Sequence, residues 1–137
     1  MSDQPLTFKA DRKYTATHEW AKQEGDLIVV GLSDYAQNQL GDIVFVEFPA
    51  RDKNIEAGKG FGVIESVKAA SDIFAPVSGQ VVALNEDLGS DPALINKDPY
   101  GAGWVIKVRP SNPAEFTNLI DAATYEQKVE SGELGPH

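Results

Sequence analysis

Cysteine is absent from this chain, which excludes disulfides and thiolate metal sites. The absence suits a reducing compartment without establishing one. Histidine is scarce: His18 and the near-terminal His137 are the whole supply, and no His/Asp/Glu cluster has metal-ligand spacing. No apolar run approaches the roughly 20 residues of a membrane span. The first dozen residues, MSDQPLTFKADR, lack the apolar core of a secretory signal and are too acidic for a typical transit peptide, so a cytoplasmic protein of bacterial style is expected. Basic residues are outnumbered, 12 against 21 acidic ones, for a net charge of −9. Such a surface repels phosphate backbones, and without a basic stripe nucleic acid is not an expected partner. There is no Ser/His/Asp arrangement, and the glycines of Gly58–Gly62 lead into a strand, where a phosphate loop would lead into a helix. A self-contained enzyme is therefore disfavoured.

What remains is ordinary globular material: 137 residues, 42% hydrophobic and 24% charged, enough for one domain with a real core. Residues 1–13 read as a loose leader, 14–130 as the domain and 131–137 as a frayed tail marked by Gly132 and Gly135. Tyr14–Trp20 reads as a first strand, Ala21–Asp26 as a polar turn, and LIVVGL (27–32) as a β-branched strand. Ser33 is a candidate N-cap for a two-turn helix ending before Gly41. DIVFVEF (42–48) is apolar on both faces, which predicts a central strand covered on both sides. Short strands at close spacing follow, an all-β signature. Asp91-Pro92 signals a short helix, and GWVIKVR (103–109) a last strand. Asn112-Pro-Ala-Glu115 resembles a capping box, and Phe116, Leu119, Ile120 and Ala123 keep helical spacing, predicting one C-terminal helix of three to four turns.

The segment with chemical promise is GKGFGVIESVKAASDIFAPVSG (58–79), read as strand, tight turn, strand. Lys68 lies near its middle, ten residues after Gly58 and eleven before Gly79, so it falls at the tip of a hairpin. Its neighbours Ser66, Ala69, Ala70 and Ser71 are small and leave the amine open to another enzyme. Acylation there would turn an ammonium into a neutral amide. On position alone Lys68 is an ordinary exposed turn lysine.

The surrounding sequence carries more. GFGVIESVKA followed by SD and APVSG resembles the lipoyl attachment region of the glycine cleavage H-protein family. THEW (17–20), GLSDYAQNQLGDIVFVEFP (31–49), LINKDPYGAGWVIKV (94–108) and PAEFTNLIDAATYE (113–126) resemble the same family in order and spacing. Tyr35 departs from it, standing where some relatives carry histidine.

The resemblance implies a barrel-sandwich hybrid, a flattened β-sandwich with short helices and a C-terminal helix. It implies a non-catalytic carrier with lipoate bound covalently to Lys68. The aminomethyl group of glycine would pass on that arm from glycine decarboxylase to the tetrahydrofolate-dependent aminomethyltransferase, and dihydrolipoamide dehydrogenase would reoxidise it. Thr17 and Glu19 would line a cleft sheltering the loaded arm, with Glu19 accepting from the protonated amine; a solvated surface carboxylate is the competing reading of Glu19. Glu65, Ser66, Val67, Ala69 and Asp72 would form the surface read by lipoylating enzymes and partners. His18 has no catalytic partner in the sequence and reads as a packing or surface residue; Tyr100 and Trp104 read as core or core-edge aromatics. A monomer is expected, since a carrier offers its arm to several enzymes in turn. Alternatives are an H-like protein relaying lipoyl groups to other proteins and a biotinyl carrier. The latter usually flanks its lysine with methionines, where this chain has Val67 and Ala69 and Met1 as its sole methionine.

Overall fold

The structure is a computed structural model and describes residues 6–134. Its strands form two antiparallel sheets. Seven make the larger one: β1 (Lys13–Tyr14), β2 (Glu19–Glu24), β3 (Leu27–Leu32), β5 (Asn54–Ile55), β8 (Gly79–Leu84), β9 (Ile106–Pro110) and β10 (Ile120–Asp121), in the order β10-β1-β2-β3-β9-β8-β5. Three make the smaller: β4 (Ile43–Glu47), β6 (Gly60–Ser66) and β7 (Ala70–Phe74), in the order β4-β6-β7. The main core contains Val30, Leu32, Ile106 and Val108 from the larger sheet and Val46, Ile64 and Ile73 from the smaller. Burial of these β-branched and Leu side chains supplies the main drive to fold. This is the flattened β-sandwich with short helices that the sequence suggests.

An aromatic cluster holds the chain ends. Tyr14 and Tyr125 stack with centroids 4.5 Å apart, and Trp20 is buried beside them. The Arg12 guanidinium lies 4.5 Å above the Trp20 ring and donates to the Tyr100 carbonyl, a cation held by a ring face and a backbone oxygen. Residues 6–12, expected as part of a loose leader, are therefore tied down: Thr7 N–H also donates to Asp34 and Tyr100 Oη donates to the Thr7 carbonyl. The remainder of that leader, 1–5, and residues 135–137 of the tail lie outside the described residues.

Several sequence expectations need correction. The run Tyr14–Trp20 is two strands separated by a turn, closed by His18 N–H to the Thr15 carbonyl with His18 at φ 76°. β2 then continues through Glu24, because it pairs with β3 from Glu19↔Leu32 to Glu24↔Leu27; the turn expected from Ala21 begins only at Gly25. The strand expected over 103–109 starts at Ile106, not Gly103, and is not the last, since β10 follows it. The C-terminal helix is broken in two, α4 (Pro113–Thr117) and α5 (Ala122–Glu130), because Ile120–Asp121 pairs with β1. Asn112 does cap α4, but Glu115 leaves the capping box and accepts from Ser78 N–H and Oγ. The Asp91-Pro92 region contains two short helices, α2 (Asp87–Ser90) and α3 (Leu94–Lys97), and the Asp91 carboxylate pairs with Lys97 in place of capping.

The largest correction concerns β4. It is not a central strand covered on both sides but the edge of the smaller sheet, and Val44 and Phe45 are 52% and 50% exposed. A bulge between Ile43 and Phe45 turns both side chains outward.

Candidate functional site

β6 and β7 pair antiparallel from Gly60↔Phe74 to Glu65↔Ala70, leaving Val67, Lys68 and Ala69 as the turn. Ser66 organises it. Its N–H donates to the Ala69 carbonyl at 2.8 Å, and its Oγ accepts from the N–H groups of Lys68 and Ala69, each at 3.2 Å. Val67 N–H donates to the Asp42 carbonyl, which fastens the tip to the start of β4. The tip is thus hydrogen-bonded at its base, while Lys68 and Ala69 stand exposed.

The Lys68 side chain leans on the end of α1 (Asp34–Leu40), a helix capped by Ser33 as the sequence suggests. Its Nζ donates to the Gln39 carbonyl at 3.3 Å, a placement favoured by the negative end of a helix. Gly41 follows α1 at φ 78° and ψ −156°, a region open essentially to glycine, and a Cβ there would sit 3.2 Å from Lys68 Cε. Asn96 holds this corner: its amide donates to the Gly41 carbonyl and to Gln37, and its carbonyl accepts from Ile43 N–H. Lys68 borders a cleft of about 780 Å³ whose walls include Leu6, Gln37, Asn96 and Tyr100. Nothing in the sequence marked this cleft, because its walls come from segments far apart in the chain.

Glu65 and Asp72 are exposed on opposite arms of the hairpin, two residue pairs apart in register. The nearer pair places Glu65 opposite Ala70, and the farther one Val63 opposite Asp72. Val67 is 67% exposed.

Thr17 and Glu19 lie elsewhere. Thr17 is exposed and edges a second cleft of about 310 Å³ with Phe74, Ala75, Pro76 and Leu119. Glu19 is fully buried, so it is not the solvated carboxylate of one reading. Its Oε1 accepts from Thr15 Oγ1 at 2.7 Å and Thr17 Oγ1 at 2.5 Å, and its Oε2 accepts from Phe74 N–H at 3.1 Å. β2 belongs to the larger sheet and β7 to the smaller, so this carboxylate ties the two sheets together. It holds the far end of the strand that begins at the lysine tip.

His18 is 1% exposed and is a packing residue. Its Nδ1 lies 2.7 Å from Tyr125 Oη, which is 2.8 Å from Ser33 Oγ. Burial pushes the Tyr125 phenol well above its ordinary pKa, so it remains a neutral hydroxyl joining α5 to the cap of α1. The Tyr35 ring stands 4.7 Å from that of His18. Among the described residues no group of three His, Asp or Glu side chains could hold a metal ion, and no helix is long and apolar enough to cross a membrane.

Comparison with known proteins agrees with this geometry. The family model described as Glycine cleavage H-protein matches residues 12–132. A glycine cleavage system H protein of Bacteroides fragilis is 52% identical over 124 residues, which cover 90% of this chain and 98% of that one. One from Carboxydothermus hydrogenoformans is 52% identical over 120 residues, covering 88% and 92%. The crystal structure of a glycine cleavage system H protein from Mycobacterium marinum superposes with a TM-score of 0.80 at 40% identity, covering 90% of this chain and 98% of that one. With a family match across most of its length and the same sandwich beneath it, the chain belongs to the glycine cleavage H-protein family.

Proposed function

We propose that this protein is the lipoyl-bearing carrier of glycine cleavage, with lipoate attached to Lys68 through an amide. The observation that carries the reading is an exposed lysine at the tip of a fastened hairpin, in a chain of this family. The residues present fit the group. Lys68 is exposed, its Nζ donates to a single carbonyl at 3.3 Å among the described residues, and the adjoining cleft leaves room for an arm. Acylation removes the positive charge and with it the attraction to the end of α1, which favours release of the stem. When attached, lipoate supplies the dithiol–disulfide couple on which the aminomethyl group of glycine is carried; the protein supplies position and access.

The partners in this reading are glycine decarboxylase, the aminomethyltransferase, dihydrolipoamide dehydrogenase and the lipoylating enzymes. The chain itself acts as a non-catalytic, monomeric subunit of a cytoplasmic system. Tethering raises the effective concentration of the cargo at each active site in turn. Glu65, Ser66, Val67, Ala69 and Asp72 are the surface those enzymes read. Thr17 and Glu19 serve the loaded arm: β7 runs four residues from Ala70 beside the tip to Phe74 at the Thr17 cleft, roughly 13 Å at about 3.3 Å per residue. Thr17 faces that cleft, and Glu19 behind it would gain an ammonium by exchanging the Thr17 hydroxyl for it.

Reconstitution tests the reading. The lipoylated chain, mixed with the purified decarboxylase, aminomethyltransferase and dehydrogenase, should support glycine-dependent reduction of NAD. Lys68→Arg should fold normally and support none. Activity of Lys68→Arg equal to that of the unmutated chain would overturn it.

A further inference from the structure

The exposed β4 edge invites an explanation that the carrier reading alone does not give. Val44, Phe45 and Val67 are the large hydrophobic side chains left exposed among the described residues, and they occur together. Ile43 pairs with Ser66, Phe45 with Glu65, and Asp42 holds the N–H of Val67, so the three apolar side chains lie along the β4 side of the lysine tip. The bulge that turns two consecutive residues outward also interrupts the free edge, as does Asn96 where it takes the N–H of Ile43. Both features blunt pairing with a second copy while leaving the apolar side chains presented.

Charge frames the patch. Asp42, Glu47, Glu65 and Asp72 are exposed around it, and none has a cation within ion-pairing distance among the described residues, although seven ion pairs form elsewhere. An apolar centre inside an unpaired acidic rim is complementary to an apolar surface ringed by Lys and Arg.

We infer that Val44 and Phe45 on the β4 edge, with the acidic rim around them, form the docking surface for the enzyme that acylates Lys68. The inference rests on the carrier reading. Reach selects this occupant over the other partners. The acylating enzyme must bring its reacting carbonyl to Nζ itself, at the end of a four-carbon stem, so its mouth meets the residues flanking the tip. Enzymes acting at the far end of the finished arm need not approach β4. In the transfer, the Nζ ammonium gives a proton to solvent and the free amine attacks the acyl carbon of the adenylate formed from lipoate and ATP. The C–N bond forms as the C–O bond to AMP breaks, AMP leaves with that electron pair, a second amine proton goes to solvent, and no oxidation state changes.

The test uses the full unmodified chain, a purified ATP-dependent lipoate–protein ligase, lipoate and ATP, with acylation followed by intact mass. Phe45→Ser should raise KM for the carrier about tenfold with kcat within about twofold, as for a truncated interface anchor. Val44→Lys should raise KM further by setting a like charge against the basic ring, and Glu47→Lys should lessen the rise of KM with salt. Melting temperatures close to that of the unmutated chain show that these surface changes leave the fold intact. Unchanged KM in both Phe45→Ser and Val44→Lys overturns the inference while leaving the carrier reading in place. So does an unmutated chain that sediments as a dimer and is made monomeric by Phe45→Ser, since the patch would then serve a second copy. Failure of the unmutated chain to be acylated at Lys68 sinks both together.

Discussion

Replacing Glu19 separates a strut from a surface carboxylate. In Glu19→Ala the N–H of Phe74 loses its acceptor between the two sheets, at about 1–3 kcal/mol for a stranded donor. Loss of one buried methylene adds roughly 0.8 kcal/mol. The Thr17 hydroxyl is exposed and turns to water, and Thr15 Oγ1 keeps its contact with Glu19 N–H, so these add little. The sum is about 2–4 kcal/mol, or a fall in Tm of roughly 7–15 °C for a domain of this size. Glu19→Gln behaves differently. The amide oxygen serves Phe74 N–H, and the amide NH2 donates to threonine oxygens whose hydroxyl protons rotate away. Only the charge assistance is lost, so the cost is about 1 kcal/mol. Urea unfolding by circular dichroism measures both. Glu19→Ala within about 1 kcal/mol of the unmutated chain, or Glu19→Gln as damaging as Glu19→Ala, would refute the strut.

Other consequences are equally open to measurement. Gly41→Ala should cost about 1–3 kcal/mol through its backbone conformation and should also slow acylation of Lys68 by crowding the stem, read by urea unfolding and by mass-resolved acylation. Tyr125→Phe removes the hydroxyl shared by His18 and Ser33 and should destabilise by about 1–3 kcal/mol in the same unfolding assay. The Asp121 carboxylate is held below its ordinary pKa of 3.8, chiefly by the Thr124 N–H it caps. A lowered folded-state pKa stabilises above the unfolded value and is lost as pH falls through the folded one. Asp121→Ala should therefore weaken the protein at neutral pH and flatten its stability profile below about pH 4, seen as a smaller drop in Tm between pH 5 and pH 2.5.

Much of the site was legible because it is local. Lys68 falls at the tip from the spacing of two glycine-bounded arms, and Ser33 and Asn112 cap helices as short-range chemistry dictates. The misreadings have non-local causes. Phe116, Leu119 and Ile120 keep helical spacing, yet Ile120 is taken by Tyr14, a partner 106 residues away, and the helix breaks. β4 has the composition of a central strand, but composition cannot say which neighbours a strand obtains; here it obtains β6 alone. The competing reading of Glu19 as a solvated acid follows from its residue type alone, while the local Thr15 and Thr17 hydroxyls and the approach of β7 to β2 supply the donors that make its burial tolerable. The cleft beside Lys68 escaped for the same reason, its walls meeting only after folding.

The central claim is that Lys68 bears lipoate. Intact and peptide mass spectrometry of the protein purified from its own cells tests it most directly. A lipoyl increment confined to the peptide containing Lys68 is the predicted result. An unmodified Lys68 in cells that lipoylate other proteins, or a biotinyl increment in its place, would contradict it.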